Sequence, residues 1–363
     1  MIFKKILKYF IRIIFYLLLT LILFIGIIVI NGTLTDYKPN LKEKLEVKGK
    51  GYFNTSSDSV VTILSWNIGY CGLGKDVDFF YDGGKMSRPS KEYFQKYING
   101  VLNFLAKNDT IDMILLQQVD TNAKRSYYTN EAKLINQFLP NYYSVFAKNY
   151  DVSFIPFPWN AALGSVISGM ITLSKIKPFE SYRYNYCSNY QWPKKIFFHD
   201  RCMIYTKFKM LDGKYLIVLN THNSSYADAA ELREIESYVM KAIMLDEYGK
   251  GNYVVAAGDW NRNPPNFDYT KIITAENKRN ANPPLDIDFL PPQWQIVYDH
   301  SIPTYRDLNE PYQKGVTKTT ITDYFAVSPN LEVIENKTIP TNFEFSNHQP
   351  VFLRVKPKTD TIK

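Results

Sequence analysis

The stretch YVVAAGDWNRN (253–263) concentrates residue types that can do phosphate chemistry. Tyr253 to Ala257 is a run of apolar or small residues that predicts a short buried strand, stopped at Gly258. Asp259 and Asn261 follow two apart, so on an extended backbone they face the same side. A carboxylate beside a neutral amide at a sheet rim suits phosphoester cleavage. The acid holds a metal ion or orients a water, and the amide steadies a phosphate oxygen without repelling it. The plain alternative is a strand ending in an Asx-rich turn, and G-D-x-N alone does not decide between them.

The histidines supply candidate partners. There are four: His199, His222, His300 and His348. His222 ends the apolar run KYLIVLNTH, and His348 sits in FSNHQPVFLRV, just before the last predicted strand. Both fall at strand edges, where loops build sites. Asp323, in ITDYFAVS, is available to orient an imidazole, since a working base is usually held by a carboxylate. Cys71, Cys187 and Cys202 form no close metal-ligand pair, and an odd count is not a full disulfide framework. They read as small buried thiols with at most one bridge. The glycine-rich GYCGLGK (69–75) lacks the G-K-[ST] ending of a phosphate-binding loop and is rejected as one.

These residues need strands and helices to place them. Runs at 60–67, 113–119, 142–147, 165–174, 201–210, 214–221, 322–328, 331–336 and 350–355 predict strands. Apolar positions at helical spacing predict helices over 90–107, 129–138 and around Leu232–Ile243. The prolines of FIPFPW (154–159) exclude regular structure there. Pro264-Pro265, Pro283-Pro284 and Pro291-Pro292 punctuate a long connection. Hairpins mixed with a few helices indicate an α+β sandwich, with helices covering packed sheets.

The N-terminus is of another kind. Residues 13–30, IIFYLLLTLILFIGIIVI, are eighteen in a row without a charge. That is near the roughly 20 residues that cross a hydrocarbon core. The following NGTLTDY offers no small-residue cleavage site, which favours an uncleaved anchor over a signal peptide. Lys4, Lys5, Lys8 and Arg12 precede the run, which predicts a cytoplasmic N-terminus and a main domain on the outer side. Those four carry half of the net charge of +8, leaving +4 on the rest. That residue suits an anionic substrate and does not by itself indicate a nucleic-acid binder. The predicted organisation is an anchor (1–31), a polar Lys-rich linker (32–59), one domain (60–356) and a short tail (357–363).

The order WN, LLQxV, NTH, GDWN, TDYFAVS, SNHQPV resembles the endonuclease/exonuclease/phosphatase superfamily, the DNase I-like proteins, over about residues 60–356. The resemblance implies a four-layer α/β/β/α sandwich and cleavage of phosphoesters with Mg²⁺ or Mn²⁺ and an attacking water. It implies that Asn67 stands near metal and phosphate, and that His222 lies against the scissile phosphate. Asp259 would activate the water, Asn261 would bind phosphate, and His348 would be held by Asp323. Arg201 would contact substrate or a buried acid. The implied substrate is a phospholipid, a nucleic acid or a small phosphodiester, with the membrane reached through the N-terminal helix and no protein partner.

Two departures stand out. The family's metal-ligand Glu in Q-E-V is Gln118 here, and the Asp of its Ser-Asp-His motif is Asn347. Each exchange replaces a charged ligand by an amide of similar shape, which weakens the hold on a hard cation. Asp120, two residues past Gln118, faces the same side on a continued strand and is the candidate substitute ligand. Three readings follow: a hydrolase with a weakened or relocated metal, a degenerate member that binds a phosphate-bearing ligand or partner without turnover, and a structural envelope protein.

Overall fold

The structure, a computed structural model, describes residues 2–51, 60–268 and 283–358. Two seven-stranded mixed sheets dominate it. In order across the first lie β1 (Lys42–Lys44), β7 (Glu180–Asn185), β8 (Cys202–Lys209), β9 (Tyr215–His222), β10 (Tyr253–Asp259), β14 (Asp323–Val327) and β11 (Gln295–Val297). Across the second lie β15 (Leu331–Thr338), β16 (Val351–Pro357), β3 (Val61–Asn67), β4 (Met113–Ala123), β6 (Gly164–Ser174), β5 (Tyr143–Ile155) and β2 (Lys48–Gly49). A small ribbon pairs β12 (Tyr305–Arg306) with β13 (Thr319–Thr320).

Alternation along the central strands assigns the layers. Ile63, Met113 and Leu115 face Val218, Val255 and Phe325 of the other sheet, forming the core between the sheets. The alternate residues Leu64, Trp66, Ile114 and Leu116 face outward onto α2 (Lys91–Lys107) and α3 (Glu131–Phe138). On the opposite side Ile217, Leu219, Val254 and Ala256 pack under α4 (Ala230–Gly249). Burial of both faces explains why these strands read as near-continuous apolar runs. The order helix, sheet, sheet, helix is the four-layer sandwich that the sequence implied. Ser90 caps α2 by accepting from the Tyr93 amide, and Asn130 caps α3 by accepting from the Lys133 amide.

One helix, α1 (Ile2–Leu34), precedes the sandwich and is long and apolar enough to cross a membrane. The stretch after it departs from the expected linker: β1 pairs with β7 and β2 pairs with β5, so residues 42–49 add an edge strand to each sheet. Short Lys-rich edge strands discourage further pairing, and the same composition made them read as a tether. Part of the predicted linker (52–59), part of the Pro-rich connection (269–282) and most of the predicted tail (359–363) lie outside the described residues. No disulfide joins the three cysteines, and Cys187 is exposed rather than buried.

Candidate active site

The rim of the first sheet is set by strand register. β9 and β10 run parallel and pair His222 with Asp259, while β10 and β14 run antiparallel and pair Asp259 with Asp323. Three neighbouring strands thus end with His222, Asp259 and Asp323 side by side, Asp259 in the middle. Gly258 makes the approach possible. Its φ is +146°, and a Cβ there would stand 1.9 Å from the Thr221 carbonyl oxygen.

The chain then turns rather than continuing extended. Asn261 has φ +50°, and its amide N–H donates to Asp259 Oδ1 at 3.0 Å. Its side chain still reaches Asp259, with Nδ2 donating to Oδ2 at 3.1 Å and to the Asn223 carbonyl at 2.8 Å. Asp259 and Asn261 are adjacent as expected, but through an Asx turn instead of strand alternation.

The rim of the second sheet meets the first across the gap. Asn67 ends β3 and donates from Nδ2 to Asp259 Oδ2 at 3.0 Å. His348 lies just before β16, where Trp66 Nε1 donates to its carbonyl at 2.9 Å. Its Nδ1 lies 2.8 Å from Asp323 Oδ2, and its Nε2 lies 3.5 Å from Asp259 Oδ2. An ionised carboxylate only accepts, so Nδ1 carries the proton and Nε2 faces the cleft. His222 Nε2 is also 3.5 Å from Asp259 Oδ2. Beneath, Gln117 Nε2 donates to Asn220 Oδ1 at 2.8 Å, a buried polar bridge that locks the two sheets together.

Burial and neighbours set the protonation states. Burial pushes the Asp259 carboxyl up to about 6, against the pull of His348. That leaves it mostly ionised at neutral pH yet basic enough to accept a proton from water. Burial pulls His348 down, but the carboxylates of Asp323 and Asp259 outweigh it and its pKa rises. Burial and the nearby Arg201 hold His222 well below its usual range, so it stays neutral.

A continuous cleft of about 660 Å³ opens over these groups, lined among others by Asn67, Gln118, Arg201, His222, Asp259, Asn261, Asn347 and His348. Asp323 lies behind His348, outside that lining. Arg201 is buried and donates to the His222 carbonyl at 3.2 Å. Gln118 occupies a bulge in β4 at φ +52°, which breaks the strand's alternation.

That bulge corrects the expectation for Asp120. Its two oxygens accept from Arg125 Nε and Nη2 at 3.0 and 2.9 Å, and it is fully buried away from the cleft lining. Asp120 anchors a cation instead of holding one in the cleft. Arg125 stacks 3.8 Å over the Tyr70 ring and lines the cleft. His199 is given no role by the sequence. It stacks on Tyr150 at 3.7 Å and lines the same cleft, while His300 stacks on Tyr298. Its place two residues before Arg201, in the HDR of β8's approach, was the available signal.

The sequence matches no protein-family model and no curated protein. In three dimensions the chain has the endonuclease/exonuclease/phosphatase fold, the DNase I-like sandwich. It is similar to an endonuclease/exonuclease/phosphatase from Beutenbergia cavernae, with TM-score 0.54 and 12% identity over 84% of this chain and 73% of that one. A Bacteroides vulgatus protein of the same description gives TM-score 0.52 and 15% identity over 83% and 100%. TDP2 from Caenorhabditis elegans gives TM-score 0.52 and 12% identity over 82% and 74%. At such identities the likeness is one of fold.

Proposed function

We propose that the chain is a divalent-metal-dependent phosphoesterase, anchored by α1 with its sandwich on the outer side of the membrane. The observation that carries this is the register that gathers His222, Asp259 and Asp323 on three adjacent strands, with Asn67 and His348 closing over them. In the proposed reaction a water oxygen bonds to phosphorus and one ester P–O bond breaks. Asp259 takes the water's proton, protonated His348 gives one to the departing oxygen, which leaves as an alcohol, and Asp259 then returns its proton to His348 Nε2, 3.5 Å away. Asn67 and Asn261 hold Asp259 and steady a phosphate oxygen. Asp323 orients His348, and neutral His222 donates to another phosphate oxygen as charge builds. Arg125 and Arg201 supply fixed positive charge.

A cation fits the second sheet's half of the cleft by its donors. Gln118 Oε1 and Asn347 Oδ1 are buried there without a hydrogen-bond partner, which is costly unless something else satisfies them. Together they would hold Mg²⁺ or Mn²⁺, which when bound withdraws charge from the phosphate. Two neutral amides hold a hard cation weakly, so the substrate phosphate itself supplies much of the anionic ligation. The same amides favour the second reading, a site that binds a phosphate-bearing ligand without turnover.

The test uses the full chain in detergent with bis(p-nitrophenyl) phosphate. Hydrolysis that requires Mg²⁺ or Mn²⁺, stops on chelation and disappears in Asp259→Asn and His348→Ala supports the enzyme. Phosphate-analogue binding by calorimetry with no turnover of any phosphoester would leave the degenerate reading in its place.

A further inference from the structure

The catalytic cleft is lined by the membrane helix itself. Ile25, Ile28 and Val29, spaced on one face of α1, share the cavity with Asn67, Asp259 and His348. They fall within the last six residues of the uncharged run 13–30. At 1.5 Å per residue the lip of the cleft therefore lies within about 9 Å of the level where that run ends. That is the depth at which a bilayer's hydrocarbon gives way to its phosphates.

The helix is held there by specific contacts. Ser153 Oγ donates to Asn31 Oδ1 at 2.8 Å, and Trp192 Nε1 donates to Thr33 Oγ1 at 3.2 Å. Gly32 is buried against Ile196, whose Cδ1 would be 2.9 Å from an added Cβ. Beside the helix the lip continues in the 156–163 loop, where Trp159 meets Phe24 of α1 at 6.1 Å and Phe157 at 4.4 Å. Trp159 is 58% exposed and Phe157 45%. Exposed aromatic rings at that level match the interfacial belt of membrane proteins.

We infer that the substrate is a membrane lipid whose headgroup is joined through a phosphodiester, drawn from the bilayer with its acyl chains along α1 and its phosphate over Asp259. The assignment rests on the phosphoesterase reading and names its substrate class. An apolar lip formed by Ile25, Ile28, Val29, Phe157 and Trp159 leads down to a floor with Arg125 and Arg201, the order of polarity of a lipid read from chain to phosphate. A nucleic acid would need cationic contacts along its backbone at the lip, and these lip residues carry none. Water attack releases either a phosphorylated headgroup or the free headgroup alcohol, and a headgroup label reports both.

The full chain is reconstituted in vesicles of phosphatidylethanolamine, phosphatidylglycerol and sphingomyelin with labelled headgroups, alongside bis(p-nitrophenyl) phosphate and a single-stranded DNA oligonucleotide, with Mn²⁺. The expected result is metal-dependent release of headgroup label. Ile28→Trp, which fills the lip, and Trp159→Ser each lower the ratio of lipid to soluble-diester turnover about tenfold. Cleavage of the soluble diester or the DNA with the label retained overturns the lipid assignment and leaves the phosphoesterase standing. If nothing is cleaved, the phosphoesterase reading falls. Lipid seating is then decided by a photoactivatable headgroup: labelling of Tyr150 or Tyr226 inside the cleft supports it, and labelling confined to α1 overturns it.

Discussion

At the rim of the first sheet, an imidazole, a carboxylate and a second carboxylate end three adjacent strands, and the central acid is bonded on every side. At the rim of the second, the corresponding positions carry amides, and two of their oxygens are buried without a partner. Strand pairing dictates the first arrangement, because shifting any of the three strands by one residue would move its end residue to the other face. The second rests on a bulge and a loop, where a side chain can change without disturbing a ladder. The half that handles protons is therefore built rigidly into the sheet, and the half that would handle a cation is open to substitution.

The comparison breaks if the first rim proves dispensable. Asp259→Asn is expected to lower metal-dependent phosphodiester turnover by about 10³-fold, since a positioned base contributes on the order of 10²–10⁴. Initial rates on the soluble diester check it; a loss of only severalfold would move the base elsewhere.

The same substitution has an opposite effect on stability. The native carboxyl titrates at about 6 against an ordinary value of 3.8, so between those values the folded state binds more protons than the unfolded one. Its stabilising contribution is complete below 3.8 and is lost as the pH rises through about 6. At pH 7 in chelator, Asp259→Asn should gain on the order of 1–3 kcal/mol, read by denaturant unfolding. An unchanged midpoint would mean that the ionised acid is not strained by its burial.

The second rim is sharpened by restoring charge. Gln118→Glu with Asn347→Asp should tighten Mn²⁺ binding at least about tenfold by calorimetry. In the parent, adding a non-hydrolysable phosphate analogue should tighten it in the same direction. Micromolar Mg²⁺ binding by the parent alone would show that the amides suffice.

The smallest expected change is in Asp323→Asn, which removes a carboxylate from His348 Nδ1. The imidazole's titration, followed by NMR, should shift downward. Because its native pKa is raised, His348 contributes stability that is full below about 6.5 and fades as the pH climbs through the folded value. That fading should flatten in the variant.

Much of this was legible before the fold was seen, for reasons particular residues make plain. Val61–Asn67 and Tyr253–Asp259 are apolar on both faces because each lies between a helix layer and the other sheet, so their runs are continuous and their ends fall where the site begins. His222, Asp259 and His348 could be placed at strand mouths on that basis. Asp120 was misplaced because two-residue alternation holds only on an unbroken strand, and the φ of Gln118 breaks it. Glu180–Asn185 buries Ser181 and Arg183 and leaves the alternating Tyr182 and Tyr184 half-buried, so its inward face is polar and the strand went unread. That α1 lines the cleft depends on contacts between segments more than a hundred residues apart, which no local pattern encodes.

The pairing of residues 42–44 and 48–49 with the two sheets bears on where a soluble form of this protein could be cut away from α1. A protease cutting just before Val60 would not trim a spare tether; it would strip one margin from each half of the sandwich and bare the hydrogen-bonding edges of Glu180–Asn185 and Tyr143–Ile155. A shed form would therefore be sticky, and any soluble version that remains well behaved must be cut upstream of Lys42.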